Sequence, residues 1–266
     1  MPIITKITTQ KNSTDRYNIY LDEAYAFGID EEVLIRYQLA KGKELTEFDI
    51  TQIQYEDEIR KALNAAINFL SFRMRSKDEI RQHLKKKEWD EPVIQAVLLE
   101  LAERKYVDDL DFASAYVRTQ VNGGKKGPLN IKQELKQKGI NDQLIERAMN
   151  EYSKEQQIDH AIQLGNKLAK QNSKLSELFL KQKIEQFLMT KGFPFSIISI
   201  AIEEIEYEKD EDDEWSALQI QAEKAHRRYK NLTGFEYEQK MKQALYRKGF
   251  SIEGIERYLS ENGQSL

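Results

Sequence analysis

Cysteine is absent from all 266 residues. Disulfides, thiol catalysis and thiolate metal sites are therefore excluded. Histidine is scarce: His83, His160 and His226 stand far apart, and none has the H-x-x-x-H spacing of a metal-binding helix. His83 and His226 sit beside basic residues on polar faces and His160 opens an apolar stretch, which assigns them surface or packing roles. No apolar run approaches the roughly 18 residues of a membrane-spanning helix. The start, Met1-Pro2-Ile3-Ile4-Thr5-Lys6, lacks the apolar core of a secretion signal, so the expected compartment is the cytoplasm. Missing too are the phosphate-binding G-x-x-x-x-G-K-[ST], the nucleophile elbow G-x-S-x-G and the dinucleotide fingerprint. Carboxylates are plentiful but fall on polar helix faces, not in apolar pockets that would tune their pKa. The chain reads as a non-enzymatic binding protein with no cofactor or metal.

Nor is there an excess of one charge. The formal net charge is −4, with 32% charged and 40% hydrophobic residues. The charge is segregated, however: residues 1–60 carry 7 basic and 12 acidic side chains, 71–140 carry 15 and 11, 141–214 carry 9 and 16, and 215–266 carry 9 and 6. The whole is no general polyanion binder, but clustered cations within it can steer a polyanion.

What the chain does have is one motif written four times: Leu84-x-x-Lys87-Glu88-Trp89, Leu135-x-x-Lys138-Gly139-Ile140, Leu188-x-x-Lys191-Gly192-Phe193 and Leu245-x-x-Lys248-Gly249-Phe250, starting 51, 53 and 57 residues apart. Apolar residues recur around it: Ile80, Ile131, Ile184 and Met241 before, Ile94, Ile145, Ile198 and Ile255 after. A repeat of this period is one supersecondary unit used several times, each burying its apolar face against its neighbours.

The motif reads as a helix end. Glycine supplies the left-handed C′ residue, the leucine stands near C3, and the residue after glycine makes the apolar contact of a Schellman ending. The lysine suits the negative end of the helix dipole. Asp90, Asn141 and Ser251 then stand ready to cap the next helix; Pro194 takes that place in the third copy, with Ser196 as the alternative cap. Glu88 in place of glycine predicts a less clean ending. Helical stretches precede each copy at about 58–72, 109–121, 155–169 and 214–229. The expected fold is mainly α, an elongated array of four tandem three-helix repeats (58–108, 109–153, 154–207 and, with an acidic linker, 208–266) preceded by a small β-hairpin-containing N-terminal module (1–57).

In that module Ile3–Thr9 and Arg16–Leu21 are β-prone runs about a polar turn, Gln10 to Asp15, and Tyr25–Ile29 can add a third strand. Asp30 and Thr46 start helices. The module shields the open end of the first repeat, as terminal caps do. Residues 203–214 are acidic at nine of twelve positions and read as a solvated linker, with mimicry of nucleic-acid phosphates or contact with a basic partner the alternative; Asp213 or Glu214 can cap the helix that follows.

Gly123-Gly124-Lys125-Lys126-Gly127-Pro128 is the most distinctive loop. Its glycines and a proline in the first helical turn describe either a flexible connector or a cradle in which backbone N–H groups and two lysines hold an anion. Lys132 and Lys136 extend it by helical spacing. Arg73, Arg75, Lys77, Arg81, Lys85 and Lys86 form a second basic group, and Arg227, Arg228, Lys230, Lys240, Lys242, Arg247 and Lys248 a third. From these groups Arg73, Arg75, Arg81, Lys85, Lys86, Arg227, Arg228, Lys240 and Arg247, with Arg118, Lys125, Lys126, Lys132 and Lys136, are the candidate contact residues; phosphate contact by them is sequence-nonspecific and salt-dependent.

Tyr106-Val107-Asp108-Asp109-x-x-Phe112-Ala113, followed by Lys126-Gly127-Pro128-x-x-Ile131-x-x-Glu134-Leu135-x-x-Lys138-Gly139-Ile140, resembles the RecX family of bacterial recombination regulators. The resemblance covers about residues 60–260, and the long form is similar to those of low-GC Gram-positive bacteria. Asn130 departs from it, standing where many members carry a basic residue. The resemblance implies a modulator of the RecA recombinase that lies in the groove of the RecA–single-stranded DNA filament, impedes ATP hydrolysis, strand exchange and coprotease action in the SOS response, and contacts single- or double-stranded DNA more weakly. An array with capped ends is expected to be a monomer. The alternative is a DNA-binding helical module that acts without RecA. Against it, no helix start with exposed Arg, Asn or Gln is poised to read bases.

Overall fold

A computed structural model describes residues 1–11 and 13–262. Asn12 of the expected polar turn and residues 263–266 of the fourth repeat lie outside the described residues. Strands β1 (Ile4–Gln10), β2 (Ser13–Leu21) and β3 (Ala24–Asp30) form an antiparallel sheet in sequence order. Helices follow: α1 (Glu31–Arg36), α2 (Glu47–Leu70), α3 (Lys77–Lys85), α4 (Glu91–Glu103), α5 (Asp109–Gly123), α6 (Pro128–Gln137) and α7 (Asp142–Ala148). After a single 3-10 turn at Met149–Glu151 come α8 (Lys154–Gln171), α9 (Glu177–Thr190), α10 (Phe195–Glu204), α11 (Glu211–Tyr229), α12 (Gly234–Tyr246) and α13 (Ile252–Asn262). The mainly helical fold with a small N-terminal sheet and tandem three-helix repeats is as expected. The chain divides into two compact units, Met1–Ala113 with Leu135–Ile145, and Ser114–Glu134 with the chain from Glu146 onward.

In the first unit, Ile4, Ile19, Phe27 and Ile29 of the sheet bury against Val33, Leu39, Leu45 and Ile53. The helix expected from Glu58 begins eleven residues earlier. Thr46 and Asp49 close a reciprocal capping box, which fixes the start of α2. This 24-residue helix serves the sheet with its first half and the first repeat with its second, where Ala62, Leu63 and Ala66 pack with α3 and α4. Asp57 sits between the two halves, 2% exposed, accepting from Asp30 N at 2.8 Å, Arg16 at 2.8 Å and Lys61 at 2.7 Å. A buried carboxylate is tolerable only with such partners.

The second unit contains two further complete cores. Ala161, Leu180, Ile184, Leu188, Phe193, Ile198 and Ile202 fill one, and Leu218, Ala222, Met241, Leu245, Phe250 and Ile255 the other.

All four motif turns share one backbone. The residue after the glycine position donates to the leucine carbonyl: Trp89 to Leu84 at 3.3 Å, Ile140 to Leu135 at 3.1 Å, Phe193 to Leu188 at 3.1 Å and Phe250 to Leu245 at 3.4 Å. The glycine position itself donates three residues back, as a Schellman ending requires. Glu88 makes the same bonds from a positive φ of 64°, which corrects the expectation of a looser ending there. Asn141 and Ser251 cap the next helix as expected. Asp90 and Pro194 occupy the cap position without a side-chain bond, and Ser196 lies inside α10.

The glycines have a second reason that the local pattern does not display. The starts of α3, α6 and α9 each abut the motif turn of the repeat that follows. Ser76, which caps α3, donates its hydroxyl to the Lys138 carbonyl at 2.7 Å. Ser176, which caps α9, does the same to Lys248. At α6 the backbone substitutes: Gly127 N donates to Lys191 O at 2.7 Å and Leu129 N to Gly192 O at 3.0 Å. A Cβ on Gly139 would stand 2.3 Å from that of Asp78, and one on Gly192 2.6 Å from Asn130 Cγ. Both positions therefore exclude side chains twice over, by φ and by contact.

The acidic stretch is shorter as a linker than expected. Glu203 and Glu204 end α10, and residues 211–214 form the first turn of α11, capped by Asp210 at 2.7 Å from Asp213 N. That corrects the assignment of the cap to Asp213 or Glu214. The connection between them is anchored: Ile205 is buried, and Lys209 donates to the carbonyls of Ser173 and Leu175. Glu214 instead accepts from Glu177 N at 3.1 Å. Burial raises its pKa above the usual carboxylate value, an effect that this backbone bond and Lys209 oppose.

Candidate nucleic-acid and partner interface

The fourteen candidate cations divide sharply by surroundings. In the first unit Arg73 pairs with Glu79 through both nitrogens, at 2.9 and 3.3 Å. Arg81 lies 3.5 Å from Glu91, and Lys136 2.8 Å from Asp142. Arg75 is packed, not offered: its guanidinium lies 3.9 Å from the Phe69 ring centroid, and His83 stacks 4.0 Å away at an interplanar angle of 3°. Two planar groups that close to one centroid must lie on opposite faces, so Phe69 is sandwiched. This corrects the placement of His83 on a polar face. Lys85 and Lys86 are exposed and, among the described residues, in no ion pair.

In the second unit Arg118 pairs with Glu151 at 2.9 Å, Lys126 with Glu134, and Lys132 with Glu146 at 2.7 Å. Lys125, Arg227, Arg228, Lys240 and Arg247 are exposed and in no ion pair among the described residues. An exposed pair is worth about 1 kcal/mol or less, so pairing does not forbid phosphate contact, but it cancels the local field that attracts a polyanion. Seven of the fourteen are in no such pair among the described residues: Lys85, Lys86, Lys125, Arg227, Arg228, Lys240 and Arg247.

The anion cradle at Gly123–Pro128 is not available. The N–H groups of Gly127 and Leu129 are spent on the carbonyls of Lys191 and Gly192. Asn130, the departure from the family pattern, donates its amide to Thr190 O at 3.1 Å and so closes the end of α9. Lys87, which the motif assigns to a helix end, and Lys224 are further cations that the sequence does not single out. Burial lowers the His83 pKa, and Lys87, Arg75 and Lys86 lower it further, which places Lys87 in that basic cluster. Lys248 is likewise lowered by burial and by Lys224. The other histidines pack against tyrosines, His160 Nδ1 at 3.0 Å from Tyr152 and His226 Nδ1 at 2.9 Å from Tyr237. Among the described residues no group of three His, Asp or Glu side chains is placed to hold a metal ion, and no helix is long and apolar enough to cross a membrane.

Family models match nearly the whole of this architecture: the regulatory protein RecX N-terminal domain at residues 2–46, the first three-helix domain at 62–101, the second at 108–149, and the third at both 155–202 and 211–259. The regulatory protein RecX of Bacillus subtilis is 49% identical over 98% of this chain and 99% of its own. The chain belongs to the RecX family of regulatory proteins. The RecX of Halalkalibacterium halodurans is 43% identical over 98% of this chain and 100% of its own. A crystal structure of regulatory protein RecX superposes with a TM-score of 0.69 at 37% identity, covering 76% of this chain and all of that one. RecX from Lactobacillus salivarius gives 0.55 at 36% identity, over 56% and 97%.

The double match of the third RecX domain has a structural counterpart. The residue before the middle helix stands twelve positions ahead of the motif leucine in the last two repeats (Ser176 to Leu188, Thr233 to Leu245) and eight ahead in the first two (Ser76 to Leu84, Gly127 to Leu135). The third and fourth repeats are two copies of one RecX domain type, with a middle helix one turn longer.

Proposed function

We propose that this chain regulates homologous recombination and the SOS response by binding the RecA–single-stranded DNA filament along its helical groove. Binding lowers ATP hydrolysis, strand exchange and coprotease activity without chemistry of its own. The observation that carries this reading is membership of the RecX family along nearly the full chain, joined to seven exposed cations that are in no ion pair among the described residues. The mechanism is differential affinity: a protein that binds one filament state more tightly shifts the population toward that state. Lys85, Lys86 and Lys125 with the group from Arg227 to Arg247 meet phosphates, and protein contacts supply the preference for filament over bare DNA. The protein works in the cytoplasm as a monomer.

The test is the ATPase rate of the cognate RecA on single-stranded DNA as this protein is titrated in. Inhibition at substoichiometric amounts, weakened when Lys85, Lys86, Arg227 and Arg228 become Glu, supports the reading. An unchanged ATPase together with salt-sensitive binding to bare DNA sinks it in favour of a DNA-binding module that acts alone.

A further inference from the structure

Because the four turns share one backbone, the positions one and seven residues after the motif leucine are comparable between repeats. In the first two repeats they carry Lys85 with Glu91 and Lys136 with Asp142. The second of these is an ion pair at 2.8 Å, so the two positions face each other across the turn. In the last two repeats the same positions are apolar and exposed: Met189 (62%) with Phe195 (78%), and Tyr246 (62%) with Ile252 (54%). In the fourth repeat Tyr246 and Ile252 line one groove of about 310 Å³, together with Gln239 and Ile255 and the ion-paired Lys242 and Glu256.

A single exposed apolar residue is ordinary on a protein surface, but large apolar side chains held together mark contact sites. Here the same pair recurs on two consecutive repeats, where the other two repeats place charges. The cores do not need it, since Leu188, Phe193, Leu245 and Phe250 already fill them. Phosphates do not explain it either, because each apolar pair carries no charge. Aromatic residues and methionine are the side chains enriched where protein partners meet.

We propose that Met189 with Phe195 and Tyr246 with Ile252 form a duplicated docking surface for two successive protomers of one repeating filament, each protomer seating the same apolar feature against one pair. A surface duplicated with its repeat fits an occupant that is itself repeated; a lone partner would need only one pair. Linking two equivalent contacts raises the overall affinity well beyond either alone. This inference rests on the filament reading and names the residues that discriminate filament from bare DNA.

The test transplants the second repeat's charges: Met189→Lys with Phe195→Asp, and Tyr246→Lys with Ile252→Asp. A turn of the same geometry already carries a Lys–Asp pair there, and circular dichroism checks the fold; the milder Phe195→Ser and Tyr246→Ser serve as a second set. Binding is measured to cognate RecA filaments assembled on oligothymidylate, with bare oligothymidylate as control. Each transplant should weaken filament binding at least tenfold, and both together more than a hundredfold, with DNA binding unchanged. If the wild-type chain binds filaments and the double transplant binds within twofold of it, the docking inference is wrong and the regulatory reading stands. If the wild-type chain binds no filament, the regulatory reading itself fails and the inference with it. If the transplants abolish self-association of the wild-type chain and leave filament binding intact, a second copy is the occupant and the inference is overturned.

Discussion

The Ser76 hydroxyl reaches the Lys138 carbonyl at 2.7 Å across 62 residues of chain. It also accepts from Glu79 N at 3.1 Å, so one oxygen caps its own helix and holds the end of the next repeat's. Ser76→Ala loses both bonds: about 1 kcal/mol for the cap and a further 1–2 kcal/mol for taking a donor from a part-buried carbonyl. Urea unfolding should show a loss of about 2–3 kcal/mol. A loss below 1 kcal/mol would mean that the inter-repeat bond contributes nothing.

Equivalent positions should respond with opposite signs. Gly139 has φ +75° and no room for a Cβ beside Asp78, so Gly139→Ala adds left-handed strain of about 1–2 kcal/mol to a displaced helix start, about 3 kcal/mol in all. Glu88 holds φ +64° and is exposed. Glu88→Gly relieves that strain at the entropic cost of glycine and should stabilise by up to about 1 kcal/mol. Thermal melting of the two variants separates them, and destabilisation by both would refute the account of the turn.

Paired and unpaired cations should differ in salt dependence. Lys85→Ala with Lys86→Ala removes two charges that are in no ion pair and should lower the slope of log K against log salt by about 1.4 on single-stranded DNA if both meet phosphates. Lys132→Ala with Lys136→Ala breaks the pairs with Glu146 and Asp142 and should change the slope by less than half as much. Fluorescence anisotropy across a salt series provides the comparison.

His83 predicts a pH dependence confined to the first repeat. Burial, reinforced by Lys87, Arg75 and Lys86, holds its pKa below the ordinary imidazole value. The unfolded chain therefore takes up the proton first as pH falls. Stability is complete above about pH 6.5 and declines as pH drops toward the lowered folded value. Amide protection factors in α2 and α3, taken relative to the intrinsic exchange rate at each pH, should fall between pH 7.5 and 5.5, and His83→Phe, which keeps a ring against Phe69, should abolish the change there. An equal fall in the variant would place the cause elsewhere.

The turns were legible in the sequence because every bond that makes them lies within six residues: Leu135, Lys138, Gly139 and Ile140 suffice to specify a Schellman ending. The start of α2 was not, because Tyr55, Glu56 and Asp57 break no helix and the run from Thr46 was divided by expectation of a separate module. The joints between repeats were invisible for a different reason. Ser76 and Lys138, or Gly127 and Lys191, meet only after each repeat has folded, and a lone serine before a helix reads as a cap whatever else it touches. The candidate cations suffered in the same way: Lys132 and Glu146 are 14 residues apart on different helices, so a basic strip in the sequence is a neutral one in the fold. Lys87 shows the converse, a motif residue that the fold returns to the basic cluster.

The joint between repeats asks very little of the chain: a serine or a bare backbone at one helix start, a glycine at the next helix end. Such a connector is portable, and the double match to the third RecX domain shows it used again within one polypeptide. A gene encoding this protein can therefore lengthen by copying one segment, with reach gained in whole repeats and no rebuilding of what came before.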